Sequence, residues 1–185
     1  MTTTTRQVAF LRGINVGRNK RIAMADLRQL LTGLGYSDVT TYLQSGNAIF
    51  STTATRRDVC AAIEESLVRV LEIEAKVVVR THAELVATVA ADPFCDVAMD
   101  PAKHLVGFLS REPDVERIEA LCGFAGAVGS ESYQLRIVGN HLYLWCPRGV
   151  LDSLFSTVNW DQRLGVVTTM RNWNTVTKLA DLTRG

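Results

Sequence analysis

The first candidate for chemistry is the segment at residues 11–21, which carries two glycines among several basic side chains. The basic side chains are Arg12, Arg18, Lys20 and Arg21. Gly13 and Gly17 let the backbone approach a ligand closely, and the cations would neutralise a phosphate or a carboxylate. The segment lacks the Gly-Lys-Ser/Thr of a Walker loop and the G-x-G-x-x-G of a dinucleotide loop. It indicates either a general anion site or a solvated loop whose glycines serve turns.

A second polar segment, residues 42–47, lies between two runs of β-forming residues. Gly46 and Asn47 are typical of a tight hairpin turn. Tyr42 and Gln44 fall on one face of the preceding strand by period-two alternation, so they either line a site or face the other half of the chain. Ser45 is a conceivable nucleophile, but no base for it is identifiable.

A third segment, residues 171–178, opens the last amphipathic run of the chain. Asn172 with Thr175 is typical of a helix N-cap, and Arg171 and Asn174 lie on one polar stripe. We place Arg171 at the start of this helix, where a cation opposes the macrodipole unless an anion or a carboxylate pairs with it. This local conflict favours an anion-binding role.

Other signatures of catalysis are missing. The chain has no H-E-x-x-H, G-x-S-x-G or C-x-x-C motif, and its three histidines show no metal-ligand spacing. We therefore predict no metal site and no cofactor, and we assign no catalytic residue. The scattered aromatic residues of the strands disfavour an RNA-binding plait without excluding nucleic acid.

The charge of the chain is small but unevenly distributed. The 185 residues have a formal net charge of +1, which disfavours bulk electrostatic binding of nucleic acid. The first fifty residues hold six basic and two acidic side chains, whereas the next fifty hold five basic and nine acidic ones. A local anion site in the first fifty residues is therefore compatible with a nearly neutral molecule.

The cysteines and the hydropathy pattern indicate the compartment. Four cysteines without C-x-x-C spacing indicate free thiols in a reducing compartment. The polar residues 1–5 predict no signal peptide, and no apolar run approaches the ~20 residues of a membrane span. We expect a cytoplasmic protein without a membrane partner, and its oligomeric state stays open.

The elements that must position the three segments follow from the hydrophobic pattern. In the first half the pattern predicts strands at 8–12, 39–44, 48–51 and 76–80 and helices at 24–34, 55–70 and 81–91. The last two helices each open on a Thr-x-x-acid capping pattern, at Thr55 and at Thr81. In the second half it predicts strands at 104–110, 133–138, 141–146 and 166–169 and helices at 113–123, 150–158 and 173–180. In the helix that Pro113 opens, we expect Val115, Ile118 and Leu121 to point inward.

Each half therefore has the order βαββαβ followed by an extra helix. This order predicts an α+β fold of two tandem ferredoxin-like plaits, at residues 1–95 and 101–185. The boundary lies where Asp92-Pro93 and Asp100-Pro101 interrupt the periodicity. The central hairpins turn at glycine and asparagine in both halves, but the sequence shows no residue-by-residue repeat.

Four segments, taken in this order, resemble the signatures of a bacterial domain-of-unknown-function family, catalogued as number 1697. They are residues 11–17 (LRGINVG), 24–27 (MADL), 42–47 (YLQSGN) and 171–176 (RNWNTV). The resemblance runs through nearly the whole chain and implies a pair of ferredoxin-like plaits, with no established activity. One departure is Arg18, where the family loop usually has a second glycine. Arg18 would obstruct the approach of a ligand to the backbone or replace that contact by a charge.

The resemblance adds weight to the polar residues of the three segments. We take as ligand-binding candidates Arg12, Asn15, Gln44, Ser45, Asn47, Arg171, Asn172 and Asn174. The function that we favour is a binding protein for a small anionic ligand, a nucleotide or a phosphorylated metabolite. One alternative is an enzyme of unknown reaction at the same site. Another is a partner-binding or regulatory module without a small ligand, in which the segments lock the two halves together.

Overall fold

The computed structural model describes residues 3–15, 21–127, 133–150 and 154–184, with the backbone alone at 124–127 and 154–155. Residues 16–20 of the predicted anion loop, which include Gly17, Arg18 and Lys20, lie outside the described residues.

The first half of the chain forms a four-stranded antiparallel sheet with helices in its connections. Its elements are β1 (Thr5–Leu11), α1 (Met24–Gly33), β2 (Ser37–Tyr42), β3 (Asn47–Thr52), α2 (Arg56–Leu71), β4 (Val77–Thr81) and α3 (His82–Ala90). The strand order is β2-β3-β1-β4. Strand β1 is thus central, and its Val8 lies opposite Ile49 of β3 and Arg80 of β4.

The core of the first unit lies between this sheet and helices α1 and α2. Ala9 and Leu11, alternate residues of β1, share one buried cluster with Leu27 of α1 and Ile63 of α2. Period-two alternation in a strand and 3.6-residue periodicity in a helix produce this arrangement when helices cover one face of a sheet. Burying each leucine or isoleucine contributes about 1.5–3 kcal/mol, so this cluster holds β1 and its ends in place.

Two helix starts predicted from the Thr-x-x-acid pattern are confirmed. The Oγ1 of Thr55 accepts a hydrogen bond from the Asp58 N–H at 3.3 Å. The Oγ1 of Thr81 accepts from the Glu84 N–H at 3.3 Å, while Glu84 Oε2 accepts from the Thr81 N–H at 2.8 Å. Since these bonds satisfy the first N–H groups of each helix, α3 can begin directly after β4.

The second half repeats the same strand order. Its elements are β5 (His104–Leu109), α4 (Val115–Ala127), β6 (Gln134–Val138), β7 (His141–Trp145), a 3-10 turn (Leu154–Thr157), α5 (Trp160–Leu164), β8 (Thr168–Asn172) and α6 (Trp173–Leu182). These strands form an antiparallel sheet in the order β6-β7-β5-β8. The described chain is therefore an α+β fold with two four-stranded antiparallel sheets and six α-helices.

Two details of the second half differ from the sequence predictions. Val115, expected to point inward, is 69% exposed because α4 begins at this residue, while Leu121 is buried as expected. Of the helix predicted at 150–158, residues 151–153 lie outside the described residues, Leu154–Thr157 form the 3-10 turn, and α5 begins only at Trp160. Asn159 caps α5 by accepting from the Gln162 N–H at 3.3 Å, and Gly165 ends it with a φ of 67°. The capping residues Asn159 and Gly165 therefore determine where α5 begins and ends. The apolar run before Asn159 does not determine these bounds.

The chain divides into two compact units, residues 1–86 with 179–185 and residues 87–178. Within the second unit, Tyr143 Oη donates to the Thr88 carbonyl at 2.9 Å, which ties residue 88 to β7. Within the first, His82 Nδ1 and Thr183 Oγ1 lie 2.9 Å apart, which ties the chain end to α3. Hydrophobic periodicity does not predict side-chain hydrogen bonds of this kind.

The helices are short relative to a membrane span. The longest in the described part, α2, has sixteen residues and carries charged side chains on several turns. No helix among the described residues combines the length and the hydropathy that crossing a bilayer requires.

Candidate functional site

Arg12 lies on the wall of a cavity of about 640 Å³ in the first unit. Antiparallel pairing sets Leu11 of β1 opposite Val77 of β4, and the Arg12 N–H then donates to the Lys76 carbonyl at 2.8 Å. The end of the central strand is therefore fixed beside the entry to β4. The cavity is lined by Arg12, Gly13, Glu64, Val68, Glu74, Ala75 and Lys76. The sequence analysis identified Arg12 and Gly13 and missed the lining from α2 and from the connection between α2 and β4.

An ion pair occupies one wall of this cavity. Lys76 Nζ lies 2.8 Å from Glu64 Oε2, and Glu64 Oε1 accepts from the Val77 N–H at 2.9 Å. The hydrogen bond to Glu64 and its charge raise the pKa of Lys76. Burial lowers the pKa of Arg12 from its ordinary value. The guanidinium still stays charged at neutral pH, because that ordinary value lies far above 7.

The loop after β1 and the β2–β3 hairpin, two of the predicted segments, meet in the first unit. Asn15 has a φ of 55° and joins them through its side-chain amide. Its Nδ2 donates to the Gln44 carbonyl at 2.7 Å and to the Ile22 carbonyl at 3.0 Å, and its Oδ1 accepts from the Ile22 N–H at 2.8 Å. Asn15 therefore holds the loop against the hairpin, and with Gln44 it also lines a second cavity of about 390 Å³.

Hydrogen bonds from a buried side chain hold the β2–β3 hairpin together. Asn47 is fully buried, and its Nδ2 donates to the Tyr42 carbonyl at 2.9 Å and to Ser45 Oγ at 3.0 Å. The predicted shared face of Tyr42 and Gln44 is wrong: β2 ends at Tyr42, and Leu43 takes a φ of 59°, which breaks the strand alternation. Gln44 and Ser45 are exposed.

The third segment lies in the second unit, and Arg171 occupies a different element from the one predicted. Arg171 belongs to β8, opposite Val106 of β5, and its Nη1 donates to the Met170 carbonyl at 2.8 Å and to Thr169 Oγ1 at 2.9 Å. The predicted position at a helix start is thus wrong, since α6 begins two residues later. Burial lowers the pKa of Arg171 to about 10, so it stays charged at neutral pH.

The predicted N-cap at Asn172 is confirmed. Its Oδ1 accepts from the Thr175 N–H at 3.0 Å and from Thr175 Oγ1 at 2.7 Å. Asn174 is exposed on the first turn of α6. Of the eight candidates, five therefore lie together around the β1 loop and the hairpin of the first unit, and three follow one another at the β8–α6 junction of the second.

Arg80 is a charged residue that the sequence analysis placed in the predicted strand at 76–80 and to which it assigned no role. It is fully buried in β4, its Nη1 donates to the Val79 carbonyl at 2.9 Å, and burial lowers its pKa to about 10. Arg80 and Arg171 are each the fourth residue of the last strand in their sheets, and each precedes a helix-capping residue, Thr81 or Asn172. An arginine directly before a helix-capping residue therefore occurs at the same place in both halves, and this pattern is the sequence feature that indicates a repeat.

A buried histidine–carboxylate pair lies in the second unit. His104 Nε2 is 3.3 Å from Asp92 Oδ1, and the two side chains are only 1% and 6% exposed. The His104 ring stacks on Trp173 with 4.5 Å between centroids, and burial lowers its pKa despite the opposing charge of Asp92. The described residues contain no group of three His, Cys, Asp or Glu side chains arranged to hold a metal. Because this pair is closed to solvent, we assign it to the core.

Comparison with known proteins adds a family and a fold. The family model described as "Protein of unknown function (DUF1697)" matches residues 4–143, and a search of curated proteins found no match. Among solved structures, the conserved bacterial protein SP0830 from Streptococcus pneumoniae is similar with a TM-score of 0.79 at 21% identity, over 98% of this chain and 100% of that chain. At this identity the likeness shows a shared fold alone. The family match spans most of the chain and confirms the resemblance seen in its motifs: the chain belongs to the DUF1697 family of proteins of unknown function.

Proposed function

We propose that this protein binds a small anionic ligand, a nucleotide or a phosphorylated metabolite, in the cavity beside Arg12. The observation that carries the proposal is a partly buried arginine on the wall of a cavity of about 640 Å³. Small-molecule sites commonly measure about 300–1,000 Å³ and bury a few polar groups that fix the ligand. A guanidinium that has already lost part of its hydration gives up less solvation when an anion arrives.

The roles proposed for the other candidates differ with their surroundings. Asn15 and Asn47 would act by position, since their amides hold the loop and the hairpin next to Arg12. Gln44 and Ser45, both exposed on the hairpin, would offer hydrogen bonds to ligand groups that extend from the cavity. Arg171, Asn172 and Asn174 stay predictions for ligand contact in the second unit.

We further propose that each half is a ferredoxin-like plait, within residues 1–95 and 101–185. The identical strand orders β2-β3-β1-β4 and β6-β7-β5-β8, with a helix in each crossover, support this assignment. We also propose a cytoplasmic location. Cys95 and Cys122 are exposed free thiols, which suit a reducing compartment.

The test is a thermal-shift screen of nucleotides and phosphorylated metabolites, followed by calorimetric titration of the best compound. A ligand at a hundred times its dissociation constant stabilises the folded state by about 2.7 kcal/mol. For a chain of this size that raises the melting temperature by about 5–10 °C. Arg12→Gln removes the charge with little change in size, and we expect it to weaken binding about tenfold or more, as for other charge-assisted hydrogen bonds.

The matched control is Arg57→Gln, which removes an exposed arginine of α2 that does not line the cavity. We expect this variant to bind like the unmodified protein. The proposal is refuted if no compound of either class raises the melting temperature, or if Arg12→Gln and Arg57→Gln bind the selected compound equally well.

A further inference from the structure

We infer that the outer edge of β6 binds an extended acidic segment of a partner protein, which adds to the second sheet as a further strand. Arg136 of β6 takes a carboxylate of that segment. Strand β6 belongs to the second unit and the cavity beside Arg12 to the first, so this inference does not depend on the proposed function.

Strand β6 is a regular strand at the edge of its sheet. The strand order β6-β7-β5-β8 gives it β7 as a neighbour, and the pairing keeps one register from Gln134 to Val138. The corresponding edge of the first sheet is different: β2 has a register shift between Ser37 and Thr40, where Asp38 takes a φ of 52°. A bulge of this kind bends an edge strand and opposes the addition of another strand. Strand β6, described over its full length, has no such bulge.

The outer edge of β6 presents main-chain groups that β7 does not bind. Residues 139–140 form a two-residue hairpin turn, which makes Val138 and His141 a hydrogen-bonded pair. Because hydrogen-bonded and non-hydrogen-bonded pairs alternate in an antiparallel sheet, the N–H and C=O groups of Leu135 and Ile137 point away from β7. Within the described residues, the outward groups of Ile137 have no hydrogen-bond partner. An added strand can therefore bind them.

Arg136 covers one of the outward groups of this edge. Its Nη1 donates to the Leu135 carbonyl at 2.8 Å, and the residue is exposed. Arg80 of β4 and Arg171 of β8 bond the preceding carbonyl in the same way, but Arg80 is fully buried and Arg171 half-buried. A carboxylate is a stronger acceptor for a guanidinium than a carbonyl, because both partners are charged and the pair can be bidentate. An arriving carboxylate thus draws Arg136 away and leaves the Leu135 carbonyl to accept an N–H of the added strand.

The charges of this edge select an acidic occupant. Arg136 is the one charged residue in the sequence of β6, and β7 contains no aspartate or glutamate. A second copy of this chain is disfavoured, because antiparallel pairing of two β6 strands about their centres places the two Arg136 side chains opposite each other. A segment with aspartate or glutamate at that position gains a charge-assisted bond, while its main chain continues the hydrogen-bonded ladder.

The experiment uses the full chain and a short fluorescent peptide of alternating threonine and valine with a glutamate at its centre. Matched peptides carry glutamine or lysine at that position, and a fourth has methylated main-chain nitrogens on both edges. Dissociation constants are measured by fluorescence anisotropy at low ionic strength, because salt screens exposed charges. We expect the glutamate peptide to bind about two- to fivefold more tightly than the glutamine peptide, and the lysine peptide to bind more weakly by a similar factor. The methylated peptide should not bind, since it cannot donate to the ladder.

Two variants and one exchange measurement locate the binding. Arg136→Glu should reverse the order of the glutamate and lysine peptides, because it reverses the charge of the edge. Arg57→Glu, which reverses an exposed charge of α2 in the first unit, should leave the order unchanged. In the unmodified protein, the glutamate peptide should slow hydrogen exchange of the Ile137 amide, because the outward N–H then has an acceptor.

Three outcomes overturn the inference. The first is that no peptide binds, or that the glutamate and lysine peptides bind equally well. The second is that the methylated peptide binds as tightly as the unmethylated one, since attraction between charges would then account for the affinity. The third is a dimeric protein whose Ile137 amide is protected without any peptide, which would assign the edge to a second copy of the chain.

Discussion

Replacing Gly46 by alanine probes the packing that positions Arg12. Gly46 has a φ of 76°, and a Cβ at this position would lie 2.7 Å from Ile14 Cδ1 and 2.9 Å from Leu11 Cβ. Its carbonyl also accepts from the Leu11 N–H at 2.8 Å. The hairpin therefore packs directly on the residues that flank Arg12, and an added methyl group must move one or the other.

Two separate effects should lower the free energy of unfolding of Gly46→Ala. An alanine forced into the left-handed region costs about 1–2 kcal/mol. Overpacking a tight contact adds about 1–3 kcal/mol. Gly13 is the matched control, because its φ is 67° but a Cβ there meets nothing within 4 Å. Gly13→Ala thus carries only the backbone cost, and the loss of unfolded-state entropy is common to both variants.

The assay is equilibrium unfolding in urea of Gly46→Ala, Gly13→Ala and the unmodified protein. We expect Gly46→Ala to lose about 1–3 kcal/mol more free energy of unfolding than Gly13→Ala. Adding Ile14→Val, which removes the nearest atom, Cδ1, should restore part of that difference. Equal losses for the two glycine variants, with no effect of Ile14→Val, would refute the close packing of hairpin on loop.

Two further predictions concern the second unit. Because burial lowers the pKa of His104 below its unfolded value of 6.5, its stabilisation is complete above pH 6.5 and is lost as the pH falls towards the folded pKa. Between pH 7.5 and 5.5 the unmodified protein should lose up to about 1.4 kcal/mol more than His104→Gln, and parallel pH profiles would contradict this. Asn172→Ala should cost about 1 kcal/mol because it removes the cap of α6, whereas Asn174→Ala, which alters an exposed residue, should change stability by less than about 0.5 kcal/mol. Comparable melting temperatures for these two variants would argue against the cap.

Local signals predicted most of the secondary structure of this chain. The hairpin turns at Gly46 and Gly139 and the caps at Thr55, Thr81 and Asn172 all lie where their residue types indicated. Each signal depends on a residue whose backbone preference or side-chain bond acts within four positions along the chain. Interactions of this range can be predicted from the sequence without knowledge of the tertiary structure.

Sequence reasoning failed where two local patterns competed. The residues around Arg171 fit both the end of a strand and the first turn of a helix, and the structure assigns Arg171 to β8 through its pairing with Val106. The left-handed conformation of Leu43 was not predictable either, because a bulky residue seldom adopts it. The burial of Arg80 had no local signal, since arginine side chains are mostly exposed in folded proteins.

The polar residues of the motifs divide according to what their side chains bind. Asn15, Asn47 and Asn172 direct their amides at backbone groups of turns and helix starts within their own units. Replacing one of them leaves backbone groups unsatisfied, so stability should fall whether or not a ligand exists. A loss of binding in such a variant is therefore ambiguous. Arg12→Gln leaves these backbone bonds intact, and its effect on affinity is the direct sign of a ligand in the cavity.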